Sequence, residues 1–253
     1  AFFTTVLCLF GAIFFYRKVR QHQDAVKLIA KSFGYIPESK KFYARAAQNT
    51  GEVLEAHLID KEVWGETAFS KELLTAWWKT YPEGLSVLYE KKADSADKMI
   101  GLMGIWPIKK QIFGEILEGT RTDLQFSAKH ICTTNKKIYW YIGAIIVNKK
   151  YQRTSATAIL LLDVLKNWYL QVKDETSISI CATAYSKDGE NIIKRFGLYK
   201  FRDDVEGYPF YAMLDFQPGK LRENVSRVLK AARKEVLKDD SALKTASAKQ
   251  VSG

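Results

Sequence analysis

Residues 137–147, KIYWYIGAIIV, are apolar or aromatic at nearly every position and rich in the β-branched and aromatic types that strands favour. A strand with one wetted face alternates apolar with polar residues. This one does not, so it is expected at the centre of a sheet covered on both faces. A polar turn without glycine follows, and then residues 155–170, SATAILLLDVLKNWYL, which are apolar on most sides and too long for a buried strand. A buried strand leading through a short turn into a buried helix predicts an α/β (α+β) fold.

The rest of the chain fits around that unit. With 253 residues, 47% hydrophobic and 13% aromatic, it holds one sizeable packed domain plus appendages. EVLEAHLI (52–59) is expected to be a first strand. SKELLTAWWKTY (70–81) reads as a serine-capped helix ending at Pro82-Glu83-Gly84. LSVLYEKK (85–92) and MIGLMGIWPIK (99–109) form a predicted hairpin, followed by a short helix at 113–117 and a strand at 124–132. After the long helix come a strand at 177–185, a short helix at 187–197 closed by Gly197, and two last strands, LYKFR and YPFYAMLDF.

The flanks differ in character. Residues 1–16, AFFTTVLCLFGAIFFY, carry no charge and are followed by Arg17, Lys18 and Arg20. Although the run is shorter than the roughly 20 residues that span a bilayer, a membrane anchor over 1–17 with its basic flank on the cytoplasmic side fits the positive-inside bias. That would place the domain at the cytoplasmic face of a membrane; a buried N-terminal helix is the alternative. A cleaved signal peptide would want a basic region before the run and small residues after it. Residues 18–51 read as a helical linker of two short helices divided by Pro37. Residues 217–238 read as a basic amphipathic helix and 239–253 as a disordered tail.

A net charge of +11 favours anionic partners: phosphorylated cofactors, nucleic acid or acidic membrane. Cys8, Cys132 and Cys181 are odd in number and far apart, which suggests neither a disulfide framework nor a zinc site. No His/Glu metal spacing, P-loop or GxSxG phrase occurs, so no metal is expected.

From strand to strand, residues 52–216 resemble the GNAT acyltransferase superfamily. Gln152-Arg-Thr-Ser155-Ala-Thr157 occupies its Q/R-x-x-G-x-G/A phrase, with Arg153-Thr-Ser-Ala156-Thr-Ala158 as an alternative register, and the middle glycine is replaced in both. Ile193-Lys-Arg-Phe-Gly197-Leu198 is similar to its later Y-x-x-x-G-F phrase, with both aromatics replaced. The resemblance implies a mixed, mostly antiparallel central sheet with a V-shaped splay between strands 4 and 5, flanked by helices behind an N-terminal hydrophobic helix. It implies acetyl-CoA or another acyl-CoA as co-substrate and an amine acceptor. The cofactor residues it points to are Ile145, Ile146 and Val147 on the strand, Gln152, Arg153, Thr154, Ser155, Ala156, Thr157 and Ala158 in the turn, and Asn191 on the later helix.

Loss of glycine need not empty such a turn. A helix N-terminus leaves about four backbone N–H groups unpaired and carries positive partial charge, which suits a pyrophosphate. Ser155 and Thr157 add hydroxyls, and Lys149, Lys150 and Arg153 add cations. Ser155 as a plain helix cap is the structural alternative.

Catalysis is less well supplied. The family's tyrosine position is Ile193, so Tyr185 or Tyr199 becomes the candidate acid, and Glu115, Glu118 or His130 the candidate base. Tyr139 and Tyr141 share a face of the fourth strand and are candidates to line the acceptor pocket, and Cys181 is a candidate nucleophile whose ordinary reading is a buried small residue. Three functions compete: an acyl-CoA-dependent N-acyltransferase, a catalytically degenerate CoA- or partner-binding module at a membrane, and nucleic-acid binding through the basic C-terminal helix. The last lacks any base-stacking motif.

Overall fold

The computed structural model describes residues 42–122, 125–204 and 206–218, together with Ala30. The expected anchor, most of the basic C-terminal helix and the tail lie outside the described residues. Among the described residues no helix is long and apolar enough to cross a membrane.

One seven-stranded sheet organises the described residues. Its strands are β1 (Phe42–Ala46), β2 (Leu85–Glu90), β3 (Lys98–Ile108), β4 (Tyr139–Val147), β5 (Ile178–Thr183), β6 (Tyr199–Asp203) and β7 (Pro209–Phe216), in the spatial order β1-β2-β3-β4-β5-β7-β6. Every pairing is antiparallel except β4 with β5. The helices are α1 (Thr50–Trp64), α2 (Lys71–Thr80), α3 (Lys110–Glu118), α4 (Ser155–Val172) and α5 (Lys187–Arg195). The parallel β4–β5 pair requires a crossover, which α4 supplies. This helix packs against β1, β2 and β3, and most of its residues are buried, as its nearly uniform apolarity predicts.

Most predicted elements are present: the hairpin β2–β3, the Ser70-capped α2, α3, β4, α4, β5, α5, β6 and β7. Ser70 accepts a hydrogen bond from the Leu73 N–H, and Gly197 follows α5 with φ +86, a conformation that glycine adopts without steric cost.

Three readings are corrected. The expected strand at 52–59 lies inside α1. Asn49 caps this helix by accepting from the Glu52 N–H, and Glu52 three residues on accepts in turn from Gln48 N–H, so an Asn-x-x-Glu start wins over the short apolar run. The first strand is instead Phe42–Ala46, in what reads from sequence as the helical linker. It pairs along β2, Tyr43 stacks on Tyr89 with ring centroids 5.2 Å apart, and Arg45 grips Glu52 through two bonds of 2.7 and 2.8 Å. Finally, the strand expected at 124–132 is reduced to a 3-10 turn at Ala128–His130 and one bridge, Ile108 with Ile131. Beyond Gly104 β2 has ended, and this short segment takes up the freed edge of β3 through Cys132 N–H to Pro107 O.

The centre of the sheet is fixed by Trp106. Its indole is 1% exposed and lies back over Gly104, two residues earlier on β3, across to Gly143 on β4 and beside Gly84 before β2. A Cβ added at Gly104 would meet the ring at 2.1 Å, at Gly84 at 2.4 Å and at Gly143 at 2.8 Å. Trp77 of α2 packs edge-on against the same ring at 4.7 Å. Gly104→Ala is therefore expected to destabilise the protein by about 1–3 kcal/mol through overpacking. Gly114→Ala, on α3 where an added Cβ meets nothing within 4 Å, should stabilise it by roughly 0.5–1 kcal/mol. Urea denaturation of the two variants beside the parent checks both signs.

Candidate functional site

The β4–β5 pairing runs from Tyr139 opposite Ser179 to Ile142 opposite Ala182 and stops there, whereas β4 stays paired to β3 as far as Val147. The ladder shifts between Gly104 and Ile105, so that β4 has one residue more than β3 at Gly143. A bulge sharpens local twist and bends its strand, and β5 does not follow. Gly143, Ala144 and Ile145 are consequently half-buried in the middle of a sheet whose other central residues are covered. This is the splay that the resemblance implies.

A cavity occupies the gap. One wall is 142–145 of β4 and another is Ala182, Thr183 and Ala184 at the end of β5. Ser186 and Gly189, at the start of α5, also line it, and Ser186 caps that helix by accepting from the Gly189 N–H. Asp60 and Trp64 of α1 with Phe69 complete the lining on the α1 side. Asp60 is 2% exposed and accepts from the Phe69 N–H at 2.9 Å, while His57 Nδ1 sits 3.0 Å from Phe69 O. Two side chains of α1 thus hold both backbone groups of Phe69 against the cavity. A second recess shares Thr183, Tyr185 and Glu206 with the first and includes Tyr141, Arg121 and Arg202.

The glycine-free turn closes through its own side chains. Gln152 donates from Nε2 to Val147 O at 3.0 Å, stapling the turn to the last carbonyl of β4. The cap of α4 is Thr154 rather than Ser155: its hydroxyl donates to Tyr151 O at 2.7 Å and accepts from the Ala156 N–H. Arg153 takes φ +58, an uncommon value for a residue with a side chain. Ser155 and Thr157 are 1% and 5% exposed, and Ala156 and Ala158 are buried, because the first turn of α4 packs on the sheet. What this turn presents to solvent is Lys149, Lys150, Gln152 and Arg153. The Arg153 guanidinium reaches Asp188 Oδ1 at 2.9 Å, joining the N-terminal ends of α4 and α5 across the mouth of the splay.

The remaining sequence candidates are dispersed. Ile145 lines the cavity, Ile146 and Val147 are buried, and Asn191 lies on the exposed face of α5. Tyr185 lines both recesses and packs edge-on against Trp64 and Tyr208. Glu115 is outside the cavity and held by Arg121 Nε at 2.5 Å and Gln111 Nε2 at 2.8 Å; these hydrogen bonds keep its carboxyl below the usual range, which weakens it as a base. His130 closes its own 3-10 turn by accepting from Ser127 N–H, and burial pushes its pKa down. Glu118 and Tyr199 are exposed and away from both recesses. Tyr139 packs on Phe113, and Tyr141 packs on Phe126 and lines the second recess. Cys181 is fully buried, and desolvation raises its thiol pKa strongly. Asp60, Trp64 and Phe69 were missed because the strand expected at 52–59 broke α1 before Asp60; the Asn49-x-x-Glu52 start is the signal that would have kept it on a helix.

One ion network holds α5 in place. Glu190 accepts from Lys187 (2.8 Å), Lys194 (2.5 Å) and the Tyr211 hydroxyl (2.6 Å), which lower its pKa to about 2 from the usual 4.5. A depressed carboxyl stabilises the fold above its unfolded pKa and loses that contribution as pH falls toward the folded value. Glu190→Gln should therefore melt below the parent at pH 7, with the gap closing between about pH 4.5 and 2. Melting curves across that range test it, and a gap unchanged by acid would disprove the assignment.

No family model and no curated protein matches the chain. Among solved structures, the loading GNATL domain of CurA from Lyngbya majuscula aligns at TM-score 0.49 and 12% identity over 69% of this chain and 98% of that one. A chain of the NatC complex bound to Gag peptide and CoA aligns at 0.49 and 11%, over 70% and 100%. Ard1 from Thermoplasma volcanium aligns at 0.47 and 11%, also over 70% and 100%. On their strand order, the single parallel pair β4–β5 among them and the splay beyond Ile142, the described residues have the GNAT fold.

Proposed function

We propose that the protein is an acyl-CoA-dependent N-acyltransferase, transferring acetyl from acetyl-CoA to an amine by direct attack. The observation that carries the reading is the splay itself: a half-buried apolar strand edge at 143–145 that leads toward the N-terminal ends of two helices. Such an edge offers backbone groups to an extended amide-bearing arm, and helix N-termini favour its phosphates. In the reaction the amine nitrogen bonds to the thioester carbonyl carbon, the C–S bond breaks, the amine loses a proton and the thiolate gains one. Tyr185, whose ring lines the cavity, is the hydroxyl proposed to protonate the thiolate.

The buried, apolar Ile193 at the family's tyrosine position favours a second reading, a CoA-binding module without turnover. Release of free CoA from acetyl-CoA in the presence of amines separates the two.

Calorimetric titration with acetyl-CoA tests the site. Arg153 and Asp188 are both well exposed, so their variants should leave folding intact. Binding should weaken several-fold in Arg153→Gln and tighten several-fold in Asp188→Asn, because the first removes a cation and the second an anion beside the phosphates. No binding by the parent protein, or changes of the same sign in both variants, would remove the cofactor assignment. A position at the cytoplasmic face of a membrane is proposed from residues 1–20 alone; release of the full chain from membranes by alkaline carbonate would refute it.

A further inference from the structure

The cavity in the splay is acidic in a basic protein. Among the described residues, Asp60 and Glu206 are the charged side chains that line it, while the chain as a whole carries +11. Asp60 lies on α1 and is held by the Phe69 N–H; Glu206 lies in the turn between β6 and β7. Around them stand the rings of Trp64, Phe69 and Tyr185, with Trp64 and Tyr185 edge-to-face at 5.8 Å. Among the described residues, arginines line the adjoining recess and not this cavity, and most of their guanidinium nitrogens are engaged. Arg202 donates to Ile116 O, Leu117 O and Asp203 O at 2.6, 3.0 and 2.7 Å, and Arg121 donates from Nε to Glu115 and from Nη1 to Gln125 O.

Carboxylates and aromatic faces both attract an ammonium ion, the latter through the ring quadrupole. The same carboxylates repel an anion, and a bound carboxylate would find its counter-ions already committed. We infer that the acceptor is a primary amine on an apolar body without a carboxylate beside the nitrogen, its ammonium drawn in by Asp60 and Glu206 before it is deprotonated for attack. This rests on the acyl-transfer reading above and adds the substrate class to it. It also makes Asp60 a specificity-determining residue in the cavity wall.

Matched pairs decide the matter: phenethylamine against phenylalanine, tryptamine against tryptophan, and isoamylamine against leucine, each with acetyl-CoA, following free CoA. At least one amine should exceed its carboxylated partner in kcat/KM by about tenfold or more. If no amine exceeds its partner, the inference fails. Asp60→Asn keeps an oxygen for the Phe69 N–H and should raise KM for the preferred amine about tenfold, with acetyl-CoA affinity within about twofold of the parent. Glu206→Gln, on an exposed turn, should raise KM several-fold without lowering the melting temperature. Unchanged KM in both variants would overturn the role assigned to the carboxylates. Should acetyl-CoA neither bind nor turn over, the acyl-transfer reading falls by itself. Calorimetry of the three amines against the protein alone then tests the acidic site: binding abolished by Asp60→Asn supports it, and no binding overturns it.

Discussion

The packing of Trp106 is the constraint on which the site depends. A buried indole of this size fits between two strands only where side chains are missing, and Gly84, Gly104 and Gly143 leave that space from three separate segments. The ring lies where β4 carries its extra residue, so the bulge at Gly143 and the seat of Trp106 are one arrangement. A bulge turns the strand out of line, and β5, paired only as far as Ala182, cannot stay with it. The groove follows from core packing: the residues that open it face a tryptophan that is itself outside the cavity lining.

The groove is also electrically uneven. At its mouth the starts of α4 and α5 bring backbone N–H groups and Arg153, which favour anions. Its wall carries Asp60 and Glu206 among aromatic rings. An anionic cofactor and a cationic acceptor would therefore be drawn to different parts of the groove before any specific contact formed. Asp188 opposes this at the mouth by occupying Arg153, so a phosphate arriving there would have to compete with that carboxylate for the guanidinium.

Much of this was legible in the sequence where one local rule dominated. The unbroken apolarity of 137–147 and 155–170, the Ser70 cap and the Gly197 stop each fixed an element, and their order was enough for the fold. The failures came where two rules competed over few residues. Phe42 and Ala46, four apart, suggested a helix, yet Tyr43 is fixed by Tyr89 on the neighbouring strand and Arg45 by Glu52 on α1, contacts that the local apolar spacing does not report. EVLEAHLI was short enough to pass for a strand, and that reading hid Asp60. Glu115 drew attention by its charge, but Arg121 and Gln111 had already claimed it.

The glycine-free turn shows how a motif can keep its shape while its reasons change. Small residues at 155–158 suggested room for a ligand, but they form α4's first turn and are buried, where smallness serves packing on the sheet. The turn is held by Gln152 on Val147 O and by Thr154 on Tyr151 O, two side-chain bonds doing what glycine flexibility would otherwise allow. Arg153 alone takes the left-handed conformation, and it also carries the charge that faces the mouth. Its backbone strain, of order 1–2 kcal/mol for a residue with a Cβ, is unnecessary if the position only links a strand to a helix, since glycine would serve better there. A strained arginine at this point is explained by a side chain that reaches across to Asp188 of α5.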